Sequence, residues 1–122
     1  MMQYTADRLA AAATLAIAVA IVILSLIPPG AAPDAPGNDK LHHFMAYAAL
    51  AFPVCAARPR VALWMVPLAI TLGGAIEILQ PYFGRHAEWR DFLANSAGAV
   101  TGALIAWVAH RTVLRRVLRR AD

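Results

Sequence analysis

Long apolar runs separated by short polar blocks set the pattern of this chain. Residues 9–27 hold no charged side chain and are long enough, as a helix, to cross a hydrocarbon core about 30 Å thick. Pro28-Pro29-Gly30 ends the run, because proline supplies no N–H and glycine gives up helical order. A second run covers about residues 41–57 and carries His42, His43 and Pro53. A third covers about 61–80, between Pro59 and Pro81, and a fourth about 92–109. The second and fourth are marginal alone, but packing against neighbours relaxes the length requirement. The pattern predicts an all-α fold: one domain over residues 1–122, an integral membrane bundle of four transmembrane helices with a basic tail at 110–122. A cleavable signal peptide is the competing reading of the first run, since the small residues of "GAAPDA" follow it. The run exceeds a usual signal core and Arg8 is offset by Asp7, which favours a retained helix.

Composition supports lipid as the solvent. Apolar residues make up 61% of the 122 and charged residues only 15%, more apolar surface than a soluble domain of this size can hide. Cys55 is the single cysteine, so no internal disulfide forms, and its apolar surroundings read as a small buried hydrophobe. The net charge of +4 is unevenly spread. Four spans put Arg8, Arg58, Arg60, Arg111, Arg115, Arg116, Arg119 and Arg120 on one side, against Lys40, Arg85 and Arg90 on the other. Five of the seven acidic residues (Asp34, Asp39, Glu77, Glu88, Asp91) fall on the second side. The positive-inside rule then places both termini in the cytoplasm and the chain in the cell (inner) membrane as a multi-pass protein. "HRTVLRRVLRR" is basic, yet it follows a span and has Val and Leu at helical spacing. It reads as a helix end held against anionic headgroups, so the expected partner is the bilayer and not nucleic acid. "PPGAAPDAPGNDK" reads as an extended connector, and no internal repeat or phosphate-cradling glycine loop is visible.

Topology brings the polar residues of the spans to one face. The second run enters there at Asp39-Lys40, the third leaves at Glu77 to Gln80, and the fourth re-enters at Asp91. Asp39, His43 and Tyr47 lie at i, i+4 and i+8, a single helical stripe, with Tyr47 about two turns into the membrane. Glu77 and Gln80 share the last turn of the third run; Asp91 and Asn95 share the first turns of the fourth. Below Asn95, Gly98 and Gly102 form a GxxxG pair flanked by Ala94 and Ala106, a small-residue seam that lets a neighbouring helix approach closely. Asp91 and Asn95 should therefore face the bundle. The same seam could also serve a second copy of the chain.

At these residues the sequence resembles the VanZ-like family, small membrane proteins named after a glycopeptide (teicoplanin) resistance determinant. The resemblance rests on "DKLHHFMAYAAL", "EILQPYFGR" and "DFLANSAGAVTG", in order, over about residues 39–102. The family pattern falls on Asp39, Lys40, His43, Phe44 and Tyr47, then Glu77 and Gln80, then Arg85, then Asp91, Asn95 and Gly98. The departure is the connector "RHAEWRD", with its extra Glu88 and Arg90. The resemblance implies a multi-pass membrane protein of the bacterial cell envelope and leaves its biochemical activity open.

Three readings of the polar face compete. In a structural one, Arg85 bridges Glu77 and Asp91, Lys40 pairs with Asp39, and Tyr47 and Asn95 hydrogen-bond across helices. In a binding one, the leading expectation, Asp39, Lys40, Tyr47, Gln80, Arg85 and Asn95 line a site for an anionic or sugar-bearing headgroup, such as a lipid-linked or envelope ligand. The arginine fork and the lysine charge would suit phosphate or carboxylate. In a catalytic one, His43 is the general acid or base, oriented by Asp39 or Asp91, with Glu77 and Asp91 as acidic partners in a small hydrolase or transferase. No serine, threonine or cysteine occupies a matching motif position. His43 with Asp39, Glu77 or Asp91 would suit zinc or manganese, but one motif histidine with scattered carboxylates assigns neither a metal nor another cofactor. Transport is disfavoured, because the inner halves of the spans are featureless. His42 points about 100° from His43 on a helix, so the two should not serve one site. Trp89 and His86 read as interface residues, and His110 as a helix end.

Overall fold

The computed structural model describes residues 1–31 and 38–121. The middle of the expected connector (residues 32–37, with Asp34) and Asp122 lie outside the described residues. Four long helices carry the fold: α1 (Met2–Leu26), α2 (Asp39–Ala57), α3 (Ala62–Leu79) and α4 (Trp89–Ala109). A π-helical turn (His110–Leu114) continues α4 into a short α5 (Arg115–Ala121). There is no strand among the described residues.

Prolines and caps set the boundaries. α1 stops where Ile27 turns extended (φ −62°, ψ 134°), the conformation demanded of a residue before proline. Arg58 does the same before Pro59 (φ −140°, ψ 95°), and the chain turns through a 3₁₀ segment, Pro59–Val61, into α3. Asn38 caps α2, its side chain accepting from the Lys40 N–H at 2.8 Å. α3 gives way to a second 3₁₀ segment, Gln80–Phe83, closed by Gly84 in the left-handed region (φ 74°), which suits glycine. Several helices begin earlier than the hydropathy pattern suggests. α1 starts at Met2, where Asp7 accepts hydrogen bonds from both Gln3 and Arg58 around the first turns. α2 starts at Asp39 and α4 at Trp89, so Lys40 and Asp91 are themselves helical. The end of each run in hydropathy marks where lipid would stop, not where the backbone hydrogen bonds stop.

α2 is the central helix: it packs along α4 and also touches α1 and α3. Its closest approach uses the glycine seam. A Cβ on Gly98 would collide with the carbonyl oxygen of Phe44, and one on Gly102 with that of Ala48. The seam offered by the sequence to a neighbouring helix is thus filled by α2 of the same chain. Because α2 and α4 both start at the polar end, they lie parallel, with residue 40 beside 91 and 43 beside 95. The core holds Ile21, Tyr47, Leu50, Ala69, Ile76 and Ala99, with a second cluster of Cys55, Ala56, Ala103 and Ala106 nearer the termini. The outer faces carry exposed Leu15, Leu63, Leu68, Ile78, Leu104 and Ile105, a coat that water would not tolerate but lipid would.

Among the described residues, three segments are long and apolar enough to cross a membrane: Met2–Leu26, Pro59–Phe83 and Trp89–Ala121. α2 has 19 residues but falls short in hydropathy, since Asp39, Lys40, His42 and His43 occupy its first turns. Its neighbours explain how such residues are accommodated, because α1, α3 and α4 shield much of it.

Candidate functional site

The polar residues gather at the end of the bundle opposite the termini. α2 and α4 position the first group. Lys40 Nζ reaches Asp91 Oδ1 in a very short contact, Glu88 Oε2 at 2.6 Å and Asp39 Oδ2 at 3.6 Å. Asp91 is buried while Lys40 remains about one-third exposed, so the lysine neutralises a carboxylate that the bundle removes from water. Asp91 and then Glu88 hold the Lys40 ammonium far above its ordinary range, and Lys40 in turn lowers the Glu88 carboxyl. Both groups flank the spans. The expected Lys40–Asp39 pair is thus secondary; the stronger partners come from α4 and the residue before it.

His43 sits one turn further in. Its Nδ1 lies 3.0 Å from Asn95 Oδ1, and its Nε2 faces Asp91 Oδ2 at 3.6 Å and Asp39 Oδ1 at 3.7 Å. The group that orients the imidazole is therefore the Asn95 amide, not a carboxylate. The expected Tyr47–Asn95 bond does not form. The Tyr47 hydroxyl is buried without a hydrogen-bond partner among the described residues.

The hairpin between α3 and α4 is organised by Glu77 and Arg85. Glu77 is buried, and its Oε2 accepts the Glu88 backbone N–H at 3.0 Å, while Oε1 has no partner among the described residues. Arg85 does not bridge Glu77 and Asp91. Its Nη1 donates instead to the Ile27 carbonyl at 2.9 Å. Gln80 Nε2 donates to the Ser25 carbonyl at 3.3 Å, and its own Oε1 has no partner among the described residues. Both acceptors lie at the C-terminal end of α1, where helix carbonyls lack intrahelical donors. The reason for the difference is this backbone demand: Pro29, at the i+4 position from Ser25, has no N–H, and Ile27 has already turned extended, so both carbonyls are left to side chains.

A cavity of about 280 Å³ opens between α1, α2 and the hairpin, lined among others by Ser25, Asp39, His43, Tyr47, Gln80 and Arg85. His42 lines it as well, so the two adjacent histidines share one cavity despite their angular separation. Glu77 lines a different cleft, between α3 and α4 with Gly74, Trp89 and Phe92. His43 and Asp91 are thus brought together, and Glu77, although it lines the other cleft, lies within electrostatic reach of both and of Lys40. A larger cavity of about 580 Å³ lies at the opposite end, lined by Gln3, Arg58, Arg60, Trp64 and His110. It contains none of the clustered carboxylates. There His110 Nδ1 lies 2.7 Å from the Ala56 carbonyl and ties α4 to the end of α2.

Sequence reasoning missed Glu88 and the α1 carbonyls. Glu88 looked like a departure from the motif, yet it partners both Lys40 and Glu77. Its position just before a helix whose first turn holds Asp91 was the available clue. The α1 carbonyls were signalled by the double proline.

A helical bundle coated in apolar side chains, with a polar cluster at one end, is a membrane protein. This one belongs to the VanZ/LLP1 family, whose model matches residues 22–110. The match runs from the second half of α1 to the start of the π-helical turn and contains every residue of the polar cluster. Comparison with curated proteins and with solved structures gives no match.

Proposed function

We propose that this chain is a four-span protein of the bacterial inner membrane, both termini cytoplasmic, whose outer polar end binds an anionic or sugar-bearing headgroup. The ligand class is a lipid-linked or envelope molecule, and the label the family takes from one member supports a link to glycopeptide (teicoplanin) tolerance. One observation carries the reading. The Tyr47 hydroxyl and the Gln80 Oε1 are buried and unpartnered among the described residues, and both residues line the 280 Å³ cavity. Buried polar groups normally find partners; a ligand oxygen or hydroxyl would supply them. Arg85 also lines that cavity, and among the described residues only one of its five N–H donors is used, on Ile27. Lys40 is not counted as a free ligand group, because Asp91 and Glu88 already hold it. The cavity lies at the bundle end where a headgroup would sit if the exposed apolar belt marks the lipid.

The test is native mass spectrometry of the detergent-purified protein with a polyprenyl-phosphate-linked sugar and an anionic glycerophospholipid. Retention of either by the wild type and its loss in Arg85→Ala supports the reading. Equal retention by both proteins sinks it.

A second reading, a small membrane hydrolase or transferase, is favoured by the fixed His43 imidazole beside Asp39 and Asp91. Turnover of a bound lipid-linked substrate that disappears in His43→Ala would select it over simple binding.

A further inference from the structure

The surroundings of His43 Nε2 are unusual. Asn95 Oδ1 is an acceptor, so the Nδ1 beside it at 3.0 Å is the protonated ring nitrogen. In the neutral ring this leaves Nε2 with the lone pair, the tautomer in which histidine ligates metal. That lone pair faces two further acceptors, Asp91 Oδ2 at 3.6 Å and Asp39 Oδ1 at 3.7 Å. The three atoms lie within 4.8 Å of one another. Both separations from Nε2 are too long for hydrogen bonds. They are close to the edges of about 3.3–3.6 Å that tetrahedral bonds of about 2.0–2.2 Å would give.

Two further observations point the same way. Lys40 contacts the other oxygen of each carboxylate, Asp91 Oδ1 and Asp39 Oδ2, and leaves Asp91 Oδ2 and Asp39 Oδ1 to the histidine side. The lysine and a cation would therefore not compete for the same atoms. Tyr47, one turn below His43 on the same stripe, is only 2% exposed, its hydroxyl is buried without a partner among the described residues, and the residue lines the cavity that Asp39 and His43 also line.

We infer that Asp39 Oδ1, His43 Nε2 and Asp91 Oδ2 form a site for a divalent transition-metal ion of the zinc type. Asn95 orients the histidine ligand, and a remaining coordination position is reached from the cavity. Three protein ligands with one position open is the arrangement of reactive rather than purely structural zinc. The site does not depend on the headgroup reading, since its ligands are complete without one.

The test uses the full chain, purified in detergent, stripped with a chelator and titrated with Zn²⁺ and with Co²⁺. Wild type is expected to bind about one ion per chain, with Co²⁺ giving the visible absorption of a four-coordinate centre. Asp39→Asn and His43→Ala should each weaken binding at least tenfold, and Asn95→Leu by about 10–100-fold as loss of an orienting partner does. The Asp39 side chain is 69% exposed, so Asp39→Asn keeps the fold and makes the comparison decisive. His86→Ala, an exposed histidine of the nearby loop, should bind as wild type does. No ion on the wild type overturns the inference. So does an Asp39→Asn protein that binds normally, or a loss of binding in His86→Ala. Since no headgroup is present, none of these outcomes bears on the proposed ligand.

Discussion

His43 and Asn95 meet at 3.0 Å across the interface of two parallel helices, 52 positions apart in sequence. The contact falls between the Lys40–Asp91 pair and the first glycine crossing at Gly98, so it reports the register of α2 on α4.

Asn95→Leu keeps the shape of that buried side chain and removes the acceptor. The mutant should be less stable by about 1 kcal/mol, more than an average interhelical bond in a membrane protein because a ring N–H loses its partner. Unfolding in detergent measures it. An unchanged midpoint would mean that the bond contributes nothing.

The glycine seam makes a sharper demand. Gly98→Ala and Gly102→Ala each place a methyl group against a carbonyl oxygen of α2 and should cost about 1–3 kcal/mol through forced separation of the helices. Gly74→Ala is the control, because its Cβ would meet only the Phe92 ring at 3.4 Å and alanine is the better helix former. Equal stability of Gly98→Ala and Gly74→Ala would argue that α2 does not lie on the seam.

The Lys40–Glu88 pair has a defined pH signature. Glu88 is lowered from 4.5, so its contribution is present above that value and is lost as pH falls through the lowered one. Lys40 is raised from 10.5, so its contribution is complete below 10.5 and is lost only as pH rises through the higher value. Stability from the pair should therefore be flat between about pH 5 and pH 10 and should fall on acidification. Lys40→Met should lower the plateau and flatten the acid limb. An acid limb identical to that of wild type would show that Glu88 is not held by Lys40.

Tyr47→Phe separates fold from ligand. The hydroxyl is buried without a partner among the described residues, so its removal should leave stability unchanged or raise it by about 1 kcal/mol. The same mutant should bind the headgroup probe more weakly. A clearly destabilised Tyr47→Phe protein would reveal a structural partner for the hydroxyl and remove it from the ligand site.

Orientation is open to chemical labelling. Cys55 is fully buried and should be silent toward a membrane-impermeant thiol reagent. In intact cells Trp89→Cys should label and Arg60→Cys should not, both side chains being exposed at opposite ends of the bundle. The reverse pattern would invert the proposed topology.

Local spacing was enough to place Asp39, His43 and Tyr47 on one stripe, and Asp91 and Asn95 on another, because a helix repeats every 3.6 residues. Hydropathy was enough for the apolar runs, and small residues at 98 and 102 for a close helix contact. What spacing could not supply was which helix fills that contact. Arg85 shows the consequence most clearly: charge alone pairs it with Glu77 or Asp91, yet it bonds the Ile27 carbonyl.

The chain's own pattern thus determined that this is an α-helical membrane protein with its polar chemistry gathered at one end. Tertiary structure alone decided that Lys40 belongs to Asp91 and Glu88, that Asn95 rather than a carboxylate holds His43, and that Glu77 faces a separate cleft. The physical reason is register. The glycine crossings against Phe44 and Ala48 lock α2 beside α4, and the carbonyls left open at the end of α1 draw in Gln80 and Arg85. Neither constraint is expressed in the spacing of residues along any one helix.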